Sequence, residues 1–290
     1  MINDGGLATE LEARGNDLSD PLWSARLLAD APQEITAVHA AYFRAGAMIA
    51  TTASYQASFE GFAARGIDRD GAVRLLRRSV ELAEMARDQV GGGAQWVAAS
   101  VGPYGAALAD GSEYRGRYGL SGAQLERWHQ PRLEVLADAG ADIIAVETVP
   151  DIDEAEALVN LIQRLGVPAW LSYTIEGSRT RAGQPLADAF AVAAGVPEIV
   201  AVGVNCCAPD DVLPAIAVAA ETGKPVIVYP NSGERWDREH HGWAGSSRFA
   251  AQLAQRWVSA GARIVGGCCR VGPAEIAEIA RVLAPRHLGN

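Results

Sequence analysis

Lysine is nearly absent: Lys224 is the only one among 25 basic residues. A Schiff-base barrel enzyme needs an amine nucleophile at the C-terminal end of a strand. Lys224 stands just before a strand, at the opposite end, so that chemistry is excluded. Cysteine is scarce as well, with four residues, Cys206, Cys207, Cys268 and Cys269. None has Cys-x-x-Cys spacing, which rules out a zinc ribbon or finger and a dithiol redox motif. A long apolar run is also missing. The longest, 187–207, is broken by Asp188, Gly195, Pro197, Glu198 and Asn205, whereas a bilayer-spanning helix needs about 20 apolar residues in sequence. The first residues, Met1 to Gly6, lack the basic start and apolar stretch of a signal peptide. A cytoplasmic protein that does not associate with membrane is therefore expected. No basic block offsets the net charge of −10, so nucleic acid is not expected as a partner.

What is present is an alternation. Short runs rich in Val, Ile and Ala are read as strands: 2–5, 48–54, 96–102, 143–148, 169–174, 200–206, 225–229 and 262–267. Amphipathic segments follow each one, at 32–45, 69–90, 122–139, 152–165, 186–194, 212–222, 246–260 and 273–283. Eight such units predict an α/β protein, a single (β/α)8 TIM-type barrel over residues 1–290. A doubly wound open sheet usually has fewer strands and needs a topological switch point.

In a barrel the chemistry sits at the C-terminal strand ends. Read in order, those ends carry Asp4-Gly5-Gly6, Thr51-Thr52, Ser100, Glu147-Thr148, Ser172, Asn205-Cys206-Cys207, Pro230-Asn231 and Gly266-Gly267-Cys268-Cys269. All the cysteines fall at the ends of the sixth and eighth predicted strands. Strand spacing puts those two ends about 10 Å apart, close enough for inward thiolates to meet at one ion. Cys268 and Cys269 are adjacent and would point to opposite faces of a regular strand, so Gly266 and Gly267 are expected to supply freer backbone. The alternative is four buried core cysteines. Glu147 at the mouth suits an ammonium group or an internal salt bridge. Asp4 with Gly5 either lets a ligand approach the backbone or makes a plain turn. His240-His241 is read as solvated and Gly91-Gly92-Gly93 as a connection.

These residues resemble the homocysteine S-methyltransferase family across essentially the whole chain. Two motifs carry the likeness, Gly203-Val204-Asn205-Cys206 and Gly266-Gly267-Cys268-Cys269. The resemblance implies Zn2+ held by Cys206, Cys268 and Cys269, with Cys207 a packed bystander. It further implies that Glu147 and Asp4 hold the amino group of homocysteine. Gly5, Thr52, Ser100 and Asn205 complete the expected substrate contacts. Segments 52–56, 100–105 with the following 111–116, and 229–234 look like the subgroup that uses S-methylmethionine, while betaine-dependent members look less similar there. The fused domains of the cobalamin enzyme have no room. The loop Glu176 to Gln184 departs from the family pattern, which bears on the donor. The implied partners are small molecules, homocysteine and a sulfonium donor, S-methylmethionine or S-adenosylmethionine. Rival readings are a methyltransferase for another thiol or selenol and a non-catalytic zinc-binding barrel. Nothing in the sequence fixes an oligomeric state.

Overall fold

The computed structural model describes residues 1–91, 93–237, 242–249 and 251–284. His240-His241 and part of the Gly91 to Gly93 connection lie outside them. Seven parallel strands run side by side in chain order: Ile49–Thr51, Trp96–Val101, Ile143–Val149, Ala169–Tyr173, Ile199–Asn205, Val226–Tyr229 and Ala262–Val265. Residues 2 and 3 join the two edges of this sheet. Ile2 bridges in parallel to Val265 and Asn3 to Ile49, so the ring closes around an eighth, minimal stave and the predicted TIM-type barrel is present. The expected first strand, 2–5, shrinks to these bridges. Gly6 leaves it to donate to the Val271 carbonyl, and a helix begins at Leu7.

All eight predicted helices appear, the shortest at Leu186–Ala191 and the seventh at Ala251–Ser259. That seventh helix starts later than the periodicity suggested, because the backbone N–H groups of Arg248 and Phe249 are held by the Ser232 carbonyl. Helix starts are fixed by side chains where the sequence offers them, as at Asp68 and Asp151, whose carboxylates accept from the first-turn backbone. Among the described residues no helix is long and apolar enough to cross a membrane.

Alternation along the strands sorts their side chains into two cores. Ala50, Val97, Ala99, Ile144, Leu171, Val202 and Val228 face the helices in the larger one. Ile49, Ala98, Ala145, Trp170, Ala201, Ile227 and Tyr229 fill the barrel. The small residues Ala98, Ala145 and Ala201 leave room for Trp170, whose indole N–H donates to Tyr229 Oη at 3.0 Å. Nearer the C-terminal ends, at Ser100, Glu147, Ser172 and Asn205, the interior turns polar and stays buried. That layer is the floor of the site.

Candidate active site

The strand Val226–Tyr229 and the residues after it act as a ruler between the two cysteine-bearing strand ends. Cys206 N–H donates to the Tyr229 carbonyl, Asn231 N–H to the Cys207 carbonyl, Cys268 N–H to the Pro230 carbonyl and Ser232 N–H to the Cys269 carbonyl. Cys269 N–H also donates to Asn231 Oδ1 at 3.1 Å. This lacing brings the sulfurs of Cys206, Cys268 and Cys269 within 4.8 Å of one another, in a group able to hold a metal ion. Cys207 turns the other way into the outer core, where burial pushes its thiol up. None of the four is in a disulfide.

The glycines beside the cysteines serve space rather than backbone freedom, which corrects the expectation for Gly266 and Gly267. Neither has a positive φ. A Cβ on Gly266 would lie 2.7 Å from the Asp4 carbonyl oxygen, and one on Gly267 would lie 2.2 Å from the Val271 side chain. Cys268 and Cys269 lie beyond the strand, which ends at Val265, so strict alternation does not govern them. The unusual backbone is at Cys206 itself, with φ 49°, and at Thr148, with φ 59°.

Three thiols this close cannot all ionise without a cation. Cys206 is the one held well below its ordinary value, first because Cys268 and Cys269 donate to its sulfur and then through Tyr114 and Asn231. Cys268 and Cys269 are correspondingly pushed up, first by their interaction with Cys206. The Cys206 to Cys269 sulfur separation is 3.8 Å.

Two carboxyl groups share the interior. Glu147 accepts hydrogen bonds from Ser100 Oγ and, at 3.0 Å, from Tyr229 Oη. Asp4 accepts from Thr51 N–H at 2.7 Å and Thr51 Oγ1 at 3.0 Å. Burial raises Glu147 to about 7 and Asp4 to about 8, and Glu147 adds to the rise at Asp4. Among the described residues neither carboxylate has a basic partner within ion-pair distance, so the salt-bridge alternative for Glu147 is not what is seen.

The other expected contacts divide. Ser100 belongs to the group through Glu147. Asn205 braces it from below, accepting from Thr148 N–H and Ser172 Oγ, both at 2.8 Å, and donating to Thr148 Oγ1 at 2.7 Å. Thr52 is not brought in: its hydroxyl meets Ser54 Oγ at 2.7 Å and accepts from Ser100 N–H at 3.0 Å. Its neighbour Thr51 is the one at Asp4. Gly5 does allow a close approach, but by the Val271 carbonyl, 2.3 Å from where a Cβ would stand. Sequence reasoning missed Tyr229, Tyr114 and Asn231 as site residues. Tyr229 was within reach of it, since period-two alternation from the inward Ile227 puts Tyr229 inside. Tyr114 Oη lies 3.2 Å from Cys206 Sγ, but it sits in a loop where no spacing signals a contact 92 residues away.

The family model described as homocysteine S-methyltransferase matches residues 1–283. This chain belongs to the homocysteine S-methyltransferase family. Homocysteine S-methyltransferase of Escherichia coli (strain K12) is 47% identical over 96% of this chain and 94% of its own length. The crystal structure of the metallated form of the E. coli homocysteine methyltransferase MmuM matches with a TM-score of 0.88 at 44% identity, covering 97% of this chain and 96% of that one. A selenocysteine Se-methyltransferase of Brassica oleracea var. italica is 42% identical over 99% of this chain and 89% of its own. The family assignment thus rests on nearly the full length of both partners in each comparison.

Proposed function

We propose that the protein transfers a methyl group from a sulfonium donor to the thiol of L-homocysteine, giving methionine, with Zn2+ held by Cys206, Cys268 and Cys269. The observation that carries this is the meeting of three sulfurs at the barrel mouth beside two buried carboxylates that have no basic partner among the described residues. The donor set fits the metal. In a tetrahedron with metal–sulfur bonds of about 2.3 Å the sulfurs stand about 3.8 Å apart, and Cys206 and Cys269 stand 3.8 Å apart already. Thiolates are the soft ligands zinc accepts. Among the described residues no fourth His, Cys, Asp or Glu joins the trio, and three protein ligands with one position open is the catalytic rather than the structural layout. That argues against a non-catalytic zinc barrel.

Zinc bound there would lower the proton affinity of a substrate thiol, which is otherwise mostly protonated at neutral pH. The chain's own residues do the rest. Glu147 and Asp4 hold the ammonium group of homocysteine, and that charge in turn favours their ionised forms. Ser100 and Tyr229 orient Glu147, and Thr51 orients Asp4. The substrate thiol gives its proton to solvent. Its sulfur then attacks the methyl carbon in line as the carbon–sulfur bond of the donor breaks, and the donor leaves as a neutral thioether that needs no general acid. Positioning of the two sulfurs and the methyl is the protein's main contribution.

The donor is S-methylmethionine in this reading, which yields two methionines, with S-adenosylmethionine the alternative. Chain and reactants are placed in the cytoplasm, and the partners are small molecules only. The Brassica relative favours one further reading, a selenol acceptor such as selenocysteine. Zinc content and methionine formation from homocysteine with S-methylmethionine, before and after chelation, test the proposal. It is supported by about one zinc per chain and by activity that is lost on chelation and returns with zinc. Full activity in metal-free protein refutes it. Competition between homocysteine and selenocysteine, and between the two donors, decides the rest.

A further inference from the structure

We infer that Tyr114 is a positioning residue of the thiol site, donating its phenol O–H to the Cys206 sulfur, and that a buried Glu154–His129–Arg132 chain holds it there. This rests on reading Cys206 as a zinc ligand.

Tyr114 reaches the site from the loop that follows the strand Trp96–Val101. Its Oη stands 3.2 Å from Cys206 Sγ, while its ring keeps an outer face and 38% exposure. The Arg181 guanidinium stands 5.8 Å from the ring centroid. Arg181 belongs to the 176–184 segment, whose sequence departs from the family pattern.

Both ends of the loop are pinned to one buried group. At the start, Arg132 donates to the Gly102 carbonyl and Tyr104 N–H donates to Glu154 Oε1. At the end, Tyr118 Oη donates to Glu154 Oε2 at 3.2 Å, and Arg117 N–H meets Asp151 Oδ2 at 2.9 Å. His129 links the two charges: its Nδ1 lies 3.0 Å from Arg132 Nη2 and its Nε2 lies 2.9 Å from Glu154 Oε1. Arg132 can only donate, so Nδ1 accepts and Nε2 carries the proton toward Glu154. Burial keeps this imidazole neutral. His129, Arg132 and Glu154 are all buried, so the chain is held without competition from water. The loop is also packed against itself, since a Cβ on Gly105 would stand 2.5 Å from Glu113 N.

A hydrogen bond to a ligand sulfur offsets negative charge where three thiolates crowd one dication. Partners that orient metal ligands in this way typically matter by about 10- to 100-fold in metal affinity or activity. Tyr114 therefore governs how firmly the site keeps its metal.

The test is zinc affinity, measured by competition with a chromophoric chelator, on wild type, Tyr114→Phe, Glu154→Gln and the double variant. Tyr114→Phe keeps the ring and should leave the circular dichroism of the zinc-free protein unchanged. It is expected to bind zinc about ten-fold or more weakly. Glu154→Gln is expected to weaken binding in the same direction, and the double variant should lose no more than Tyr114→Phe alone, because Glu154 acts through Tyr114. Zinc binding by wild type with Tyr114→Phe within about two-fold of it, against the ten-fold expected, overturns the inference and leaves the zinc reading intact. A wild type that binds no zinc overturns both. Independent, additive losses in the double variant overturn the role given to the buried chain.

Discussion

Replacing Glu147 by Gln removes a charge while nearly preserving shape. Glu147 is only 7% exposed and stands with its oxygens on Ser100 Oγ and Tyr229 Oη. Both partners are hydroxyls that can rotate to accept from the new amide N–H, so the fold should survive. What is lost is the attraction for a substrate ammonium. Two unit charges about 4 Å apart attract by about 4 kcal/mol at an effective dielectric of about 20, and the desolvation of both reduces the net to about 2 to 3 kcal/mol, the range of a hydrogen bond to a charged group. The expected loss in kcat/KM for homocysteine is therefore about 30- to 150-fold. The assay compares homocysteine with 4-mercaptobutanoate, which keeps the thiol and carboxylate but lacks the amine. Glu147→Gln should cost the first acceptor its full factor and the second less than about three-fold, being outside the lost interaction. Taking the ratio of the two cancels metal binding and thiol ionisation. The same ratio should carry a pH signature in wild type. With Glu147 raised to about 7 in the free site, it is protonated below that pH and ionised above it. Because Asp4 is raised further, to about 8, preference for homocysteine over the amine-free thiol should be complete only above about pH 8 and fall on acidification through both values, by up to about ten-fold per unit for each carboxyl. Equal losses for the two acceptors would refute the assignment of Glu147 to the amino group.

Cys268→Ser should abolish both zinc binding and turnover while leaving the fold intact, checked by metal analysis and circular dichroism; a variant that stays active without metal contradicts the zinc mechanism. Gly203→Ala should destabilise by about 3 kcal/mol or more, since a Cβ there would stand 1.7 Å from the Ile227 carbonyl oxygen; a urea midpoint corresponding to under about 1 kcal/mol refutes the crowding argument. His39 is fully buried, its ring nitrogens have no hydrogen-bond partner among the described residues, and burial lowers it from 6.5 to about 4. Between those values the unfolded chain binds the proton and the folded chain does not, so stability is full above pH 6.5 and falls by about 3 kcal/mol as pH drops to 4. His39→Leu should flatten that part of the stability curve, and denaturant melts of both proteins across this range give the comparison.

Much of this was legible in the residues. Eight alternating units placed the barrel, and the confinement of cysteine to the sixth and eighth strand ends placed the thiol site. What was hidden depended on contacts between segments far apart in sequence. Thr51 and Thr52 are indistinguishable as types, and only the register Thr51↔Ala98, with Thr52 N–H bound to the Ala98 carbonyl, decides which one meets Asp4. Gly266 and Gly267 suggested backbone freedom, but their need is for room against Asp4 and Val271, which no local pattern expresses. Tyr114 was invisible because its position follows from a buried chain on two helices rather than from the loop that carries it.

The strained backbone at the mouth ties these pieces together. A threonine at positive φ is an outlier for a β-branched residue, and such conformations, costing about 1 to 3 kcal/mol each, persist only where their surroundings over-determine them. At Thr148 the surroundings are plain: Asn205 holds both its N–H and its hydroxyl. The register between Ile143–Val149 and Ala169–Tyr173 slips between Val146 and Val149, so Glu147 is carried on an irregularity of the kind that re-aims side chains at barrel rims. At Cys206, Thr174 Oγ1 donates to the carbonyl at 3.1 Å and the backbone N–H is bound to Tyr229. One buried asparagine therefore sits between the two irregular strand ends, immediately before Cys206 and bonded to the residue immediately after Glu147. The carboxylate and the thiolate are held by a shared brace, so their separation is a property of the barrel and not of either loop. The proposed reaction fixes its substrate by the amino group and the sulfur at once and so requires such a fixed distance, and the Asn-Cys pair in the Gly203 to Cys206 motif supplies the sulfur end in Cys206 and, through Thr148, the brace beside Glu147.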